Sequence, residues 1–318
     1  MLTGGVAGLT GLSVSGEGSV VYYDAPGQRA QLTLLSSEGR VLGTAGEPDV
    51  WSGVRISPDG KRAAIVRGSG QGRSDIWELE FSRGVQARLT FAGGSSPVWS
   101  PDGTRLIYRV LRDGIYNLFA RATAGGEQEE RITRSERTQG VLDWSPDGQF
   151  LLYGQDSPTV GTDLWIQPMN GANTPVTYVK TRLIALYASF SPDGRWIAYN
   201  SDESGRQEIY VRSFPGGETR RIASQKGGNY PKWAPDGVAL FYISLEGELM
   251  SVPVRKTSNS LEFGSPQMLF RMRVARPSRF SYPYDVMPDG RRFLVLLPTQ
   301  DEAPSLTVVL GWKPARRK

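Results

Sequence analysis

The sequence predicts an all-β chain built as a closed ring of repeats, and three observations predict it. The tetrapeptide Ser-Pro-Asp-Gly recurs at Ser57 to Gly60, Ser100 to Gly103, Ser145 to Gly148 and Ser191 to Gly194, with variants at Ala234 to Gly237 and Met287 to Gly290. Its prolines, at 58, 101, 146, 192, 235 and 288, step by 43, 45, 46, 43 and 53 residues, a period that means a repeat architecture. Each copy also shows one succession: an apolar run into the turn, a second run directly after it, and two more beyond a polar gap.

Taken in order, a degenerate first copy stands at Ser15 to Gly18, with its turn near residue 16 and without proline or aspartate. In the next copy Val54 to Ile56, Ala63 to Val66, Asp75 to Phe81 and Gln86 to Thr90 read as strands. The copy around Pro192 gives Tyr187 to Phe190, Trp196 to Asn200, Glu208 to Phe214 and Thr219 to Ala223. The last gives only three, Tyr284 to Met287, Phe293 to Leu297 and Leu306 to Trp312. Runs of this length, rich in β-branched and aromatic types and bounded by Gly, Pro, Asn and Asp, are strands.

The tetrapeptide is a structural turn. Proline (Pro58, Pro101, Pro146, Pro192, Pro235, Pro288) presets φ, and aspartate (Asp59, Asp102, Asp147, Asp193, Asp236, Asp289) suits the next position. Glycine (Gly60, Gly103, Gly148, Gly194, Gly237, Gly290) takes the left-handed conformation that completes a tight hairpin. Before each turn stands a large apolar residue: Val14, Ile56, Trp99, Trp144, Phe190, Trp233 or Val286. That column reads as packing between neighbouring sheets, as do Trp77, Phe119, Trp165 and Tyr210 on third strands.

Four antiparallel strands every ~40 to 45 residues match the blades of a β-propeller, whose closed ring leaves few exposed sheet edges. Seven turns favour seven blades, with six as the alternative. Residues 1–318 form a single domain, and Leu2 to Val6 is expected to supply the strand the last blade lacks.

A strand ending in Tyr after Ser-Pro-Asp-Gly, then Ser-Asp, Gly and Ile-Tyr-Val, runs from Phe190 through Tyr199, Ser201, Asp202 and Gly205 to Val211. This pattern resembles the TolB-type, WD40-like propeller repeat, over nearly the whole chain. The ending Asp289-Gly290-Arg291-Arg292-Phe293-Leu294-Val295, followed by Leu306 to Trp312, resembles the C-terminal propellers of bacterial receptor-like Ser/Thr protein kinases. That resemblance implies a sensor or protein-binding module lying outside the cytoplasm, beyond a membrane helix of a longer parent. A chain complete as given is instead expected to be cytoplasmic. Kinase activity is not carried over, since no Gly-rich loop with its lysine partner and no His-Arg-Asp is present.

Composition excludes much chemistry. With no histidine and no cysteine, Ser-His-Asp hydrolysis and imidazole or thiolate metal sites lose their groups, so no metal or cofactor is expected. Carboxylate chemistry survives. The alternative function is therefore a carbohydrate-active, glycosidase-like enzyme with carboxylates in the central funnel, although no spacing singles out a pair. Asp202 and Glu203 could bind calcium but read more simply as a polar hairpin loop. No run of about 18 apolar residues is present, and the N-terminus lacks the basic region of a signal peptide.

The formal charge of +5 matters through its distribution. The connections from each fourth strand to the next first strand lie on the face opposite the turns. They carry Arg134, Arg137, Lys180, Arg182, Lys226, Arg271, Arg273, Arg276 and Arg279, and the last connection is the longest. Trp51, Tyr187, Tyr230 and Tyr282 stand at equivalent places at the starts of first strands. Together these form a candidate binding rim at the channel mouth, suited to a protein, peptide or anionic ligand. Nucleic acid fits poorly, because neither interleaved exposed aromatics nor a groove-reading helix accompanies the arginines. The expected molecule is a monomeric, non-catalytic binding propeller.

Overall fold

A computed structural model describes residues 9–14, 20–24, 28–69, 73–124, 128–171, 174–180, 187–257, 260–299 and 305–309. Two hairpins come first: β1 (Leu9–Val14) with β2 (Val20–Asp24), and β3 (Ala30–Ser36) with β4 (Val41–Asp49). The first blade is β5 (Trp51–Ile56), β6 (Arg62–Ser69), β7 (Arg73–Glu80) and β8 (Val85–Arg88). The second is β9 (Ser95–Trp99), β10 (Arg105–Arg112), β11 (Ile115–Ala122) and β12 (Glu130–Arg131). The third is β13 (Gln139–Trp144), β14 (Phe150–Asp156), β15 (Thr162–Pro168) and β16 (Val176–Val179). The fourth is β17 (Ala188–Phe190), β18 (Trp196–Ser201), β19 (Glu208–Ser213) and β20 (Arg220–Ile222).

In the fifth blade β21 (Asn229–Trp233), β22 (Ala239–Ile243) and β23 (Glu248–Lys256) are followed by β24 (Leu261–Phe263) and β25 (Gln267–Arg271). The last two share the outer edge of β23. The sixth blade joins both ends of the ring: β26 (Tyr284–Val286) and β27 (Arg292–Pro298) pair on to β3 and β4. Finally β28 (Ser305–Val309) pairs with β2 in a separate three-stranded sheet.

The ring therefore has six blades, the alternative rather than the seven expected first. Six buried apolar clusters fill the six interfaces between neighbouring blades. One of them joins Leu32 and Leu294 of the sixth blade to Trp51 and Val54 of the first. The turns close the same circle. A Cβ added at Gly60 would lie 2.7 Å from Pro288 Cγ, as Gly103 faces Pro58 and Gly290 faces Pro235.

The sequence miscounted because the closing blade takes its outer strands from the N-terminus. Ala30 to Ser36 pairs with Arg292 to Pro298 along its whole length, where Leu306 to Trp312 was expected as third strand. The degenerate turn at Ser15 to Gly18, and Leu2 to Val6, lie outside the described residues.

The turns are held by more than proline and glycine. Ser57 Oγ donates to Asp59 Oδ1 at 2.6 Å and accepts from the Arg62 N–H at 2.9 Å, and Gly60 N–H reaches Ser57 O at 2.8 Å. The copies at Ser100, Ser145 and Ser191 repeat the serine–aspartate bond. From Ile56 to Val286 the column before the turns packs between blades as expected, with Trp99 Nε1 donating to Arg55 O at 3.0 Å and Trp233 Nε1 to Ser189 O at 3.2 Å, while the Val14 side chain lies outside the described residues. Among the described residues no helix is long and apolar enough to cross a membrane.

Candidate functional site

The first strand of each blade is the innermost, and one position on it carries the site. Immediately before the large apolar column stand Arg55, Val98, Asp143, Ser189, Lys232 and Asp285, one per blade. Because side chains alternate along a strand, burying the column between blades turns these six toward the axis.

Here Arg55, Lys232 and Asp285 are buried and Asp143 half-buried, and each is satisfied by a group on another blade. Asp285 Oδ1 lies 2.8 Å from Lys232 Nζ, and its Oδ2 accepts from Ile56 N–H at 2.9 Å. Asp143 Oδ2 accepts from Phe190 N–H at 2.8 Å. Arg55 donates to Leu142 O, on the third blade. The Tyr282 ring is shared by two cations, with Arg55 Cζ and Lys232 Nζ each 4.4 Å from its centroid.

A cavity of about 410 Å³ opens above this layer on the turn face. Its collar is formed by the turn prolines Pro58, Pro101, Pro146, Pro235 and Pro288, its walls include Trp99 and Trp144, and its floor carries Arg55, Asp143 and Asp285. Burial pushes the Asp143 carboxyl up to about 6, against the pull of Arg55. Among the described residues no cluster of three or more carboxylates is placed to hold a metal ion.

The opposite mouth, where the rim was expected, is filled. The longest connection turns inward instead of standing at the edge. Phe280, 1% exposed, packs so closely on the third blade that a Cβ at Gly140 would lie 2.2 Å from its ring. Ser96 Oγ donates to Arg279 O at 3.1 Å, Val54 N–H to Tyr282 O at 3.1 Å, and Tyr282 Oη to Ala188 O at 3.1 Å, so the segment touches blades all round the channel.

Of the expected rim aromatics, Tyr187, Tyr230 and Tyr282 meet, with ring centroids 4.3, 5.5 and 6.2 Å apart, as part of this plug. Trp51 is buried apart from them and donates to Glu47 O. Arg134, Arg137, Lys180, Lys226, Arg273 and Arg276 are exposed, whereas Tyr187 and Tyr282 are buried and Tyr230 is half-buried. Arg271 pairs with Glu248 at 2.8 Å and Arg279 with Asp156 at 2.5 Å, while Arg182 lies outside the described residues. Sequence reasoning passed over Arg55, Asp143, Lys232 and Asp285. The signal was available: a charged residue directly preceding an apolar inner-strand residue four times in six copies.

No family model matches the chain. An uncharacterized protein of Agrobacterium fabrum is 28% identical over 240 residues, covering 66% of this chain and 80% of that one. The Tol-Pal system protein TolB of Francisella tularensis subsp. tularensis is 26% identical over 234 residues, covering 70% of this chain. The chain spans about half of that relative's length, 53%. Among solved structures, a TolB-like protein of Agrobacterium tumefaciens superposes with a TM-score of 0.69 at 18% identity, over 85% of this chain and 98% of that one. An oligogalacturonate lyase in complex with manganese superposes with a TM-score of 0.57 at 14% identity, over 92% and 97%. TolB-like propellers are thus both its relatives in sequence and its neighbours in fold.

Proposed function

We propose that this TolB-like propeller is a non-catalytic binding module that seats a segment of a partner protein in the axial cavity on its turn face. The observation that carries the reading is the blind cavity itself. Prolines fix its collar, tryptophans supply apolar walls, and the floor offers hydrogen-bonding charges already held in place by blade-to-blade contacts. A preformed concave site of this composition loses little entropy on binding and orients its ligand by a few polar groups. A protein partner accords with the relative named for the Tol-Pal system, and on that resemblance the module works outside the cytoplasm.

The test is affinity capture from a cell-envelope extract with the wild type, Trp144→Ala, and the charge reversal Arg273→Glu/Arg276→Glu on the opposite face. The reading expects Trp144→Ala to lose the captured protein and the charge reversal to keep it. The reverse pattern would move the site to the arginine rim and overturn the cavity reading.

A second reading rests on one group. Asp143, half-buried on the floor with its carboxyl raised to about 6 by desolvation, as that of Asp285 is, has the protonation behaviour of a general acid in glycoside chemistry. Its opposite number Asp285 is tied to Lys232 and a backbone N–H, which leaves no free partner carboxylate on the floor. Turnover of an oligouronide that disappears in Asp143→Asn would favour this reading, and inertness across uronic-acid and sialic-acid substrates would remove it.

A further inference from the structure

At the plugged end, β10 carries a buried guanidinium that the proposed cavity does not use. Arg109 is 7% exposed and donates Nε–H to Ser95 Oγ at 2.9 Å. Its guanidinium carbon lies 4.3 Å from the centroid of Tyr116 and 5.3 Å from that of Phe280, so two aromatic rings bear on it. Among the described residues no carboxylate pairs with it.

The nearby carboxylate is already engaged. Asp156 is held by Arg279, whose Nη2 lies 2.5 Å from Oδ1 and 2.8 Å from Thr162 Oγ1. The Arg279 guanidinium itself stands 4.7 Å from the Phe280 centroid. Two guanidiniums thus share one phenyl ring, and the carboxylate near them is bonded to Arg279. Burial lowers the Arg109 pKa to about 10, and the repulsion of Arg279 adds to it.

Buried charges are kept in proteins when something pairs with them, and an unpaired one is strongly unfavourable. With two rings against it and its Nε satisfied, the guanidinium has its terminal N–H edge to offer. That edge matches two oxygens of a carboxylate or phosphate.

We infer that Arg109, with Arg279 beside it, is the docking point for a single oxyanion group at the plugged face. This site is separate from the axial cavity and stands whether or not the cavity binds a partner. A carboxylate and a phosphate present the same paired oxygens, and the probes below separate them.

The experiment follows thermal unfolding of the full chain against rising inorganic phosphate, acetate and chloride at matched ionic strength. We expect one of the two oxyanions to give a saturable rise of about 3 °C beyond chloride. Arg109→Gln is expected to lose that rise while melting no lower than the wild type without anions, because it removes an unpaired buried charge. A purely structural arginine would do the opposite, lowering the midpoint and keeping the anion response. Should Arg109→Gln fail to fold, Arg279→Gln carries the test. It releases Asp156 to pair with Arg109, and the anion response should fall. Trp144→Ala, in the other cavity, should keep it. A wild type that responds to neither oxyanion beyond chloride overturns the proposal.

Discussion

Lys232 and Asp285, on the innermost strands of adjacent blades, form an ion pair of 2.8 Å with side chains only 8% and 12% exposed. Asp285 forms part of the cavity floor, and the pair ties the fifth blade to the sixth, whose other half comes from the N-terminal part of the chain. A buried pair of this kind adds little net stability as a pair, but breaking it leaves a bare charge.

Lys232→Met should accordingly destabilise the ring by about 3–5 kcal/mol, and adding Asp285→Asn should recover most of the loss. Asparagine keeps an acceptor for Ile56 N–H. Urea unfolding of the two single variants and the double variant checks this, and additive losses would show that the pair does not couple the blades.

The Asp143 carboxyl, raised to about 6, gives a pH dependence of definite sign. A carboxyl whose pKa is higher folded than unfolded holds its proton in the native state, so its contribution to stability falls as pH rises from about 4 to about 6. The advantage of Asp143→Asn over the wild type should therefore grow across that window and then level at about 1–3 kcal/mol. The turn aspartates act lower. Hydrogen bonds from Ser57 and Ser100 hold Asp59 and Asp102 below the usual range, so their stabilisation is lost only as pH falls below about 4. Unfolding from pH 3 to 7.5 resolves the two, and a difference between Asp143→Asn and wild type that does not vary with pH would refute the assignment.

Turn glycines separate backbone strain from crowding. Gly194 has φ of +69° with 3.8 Å of room to Pro146, whereas Gly60 has φ of +68° and only 2.7 Å to Pro288. Gly194→Ala should cost about 1–2 kcal/mol for the left-handed backbone, and Gly60→Ala measurably more. Arg276→Ala, exposed on the far face, should change stability by less than about 0.5 kcal/mol. Equal midpoints for the two glycine variants would mean that the turns do not pack as a ring.

The plug makes a thermodynamic cycle possible. Phe280→Ala should cost about 3–5 kcal/mol and Gly140→Ala about 1–3 kcal/mol, because its methyl group must displace the Phe280 ring. Together they should cost clearly less than their sum, since the small side chain vacates the space the methyl needs. Full additivity would remove Phe280 from the channel.

Much of this was legible in the chain. The turns, the four-stranded unit and the packing column all follow from local chemistry, and strands such as Glu208–Ser213 fall within a residue of where alternation put them. The blade number was not legible, because Ala30–Ser36 carries no mark that it will pair with Arg292–Pro298 rather than found a blade of its own. The site was half legible. The rim residues were found as loop charges, yet a loop sequence does not say whether it stands out or, like Ser278 to Tyr282, folds in.

By itself the sequence determined the repeating unit, since turn geometry and strand alternation are set within a few residues of Pro, Asp, Gly and the apolar column. Only the tertiary structure decided how many units close the ring, which end of the channel is plugged, and which charges meet on the axis. Those depend on contacts between residues as distant as Arg55 and Tyr282, whose approach is fixed by closure of the whole ring rather than by any local preference of the chain.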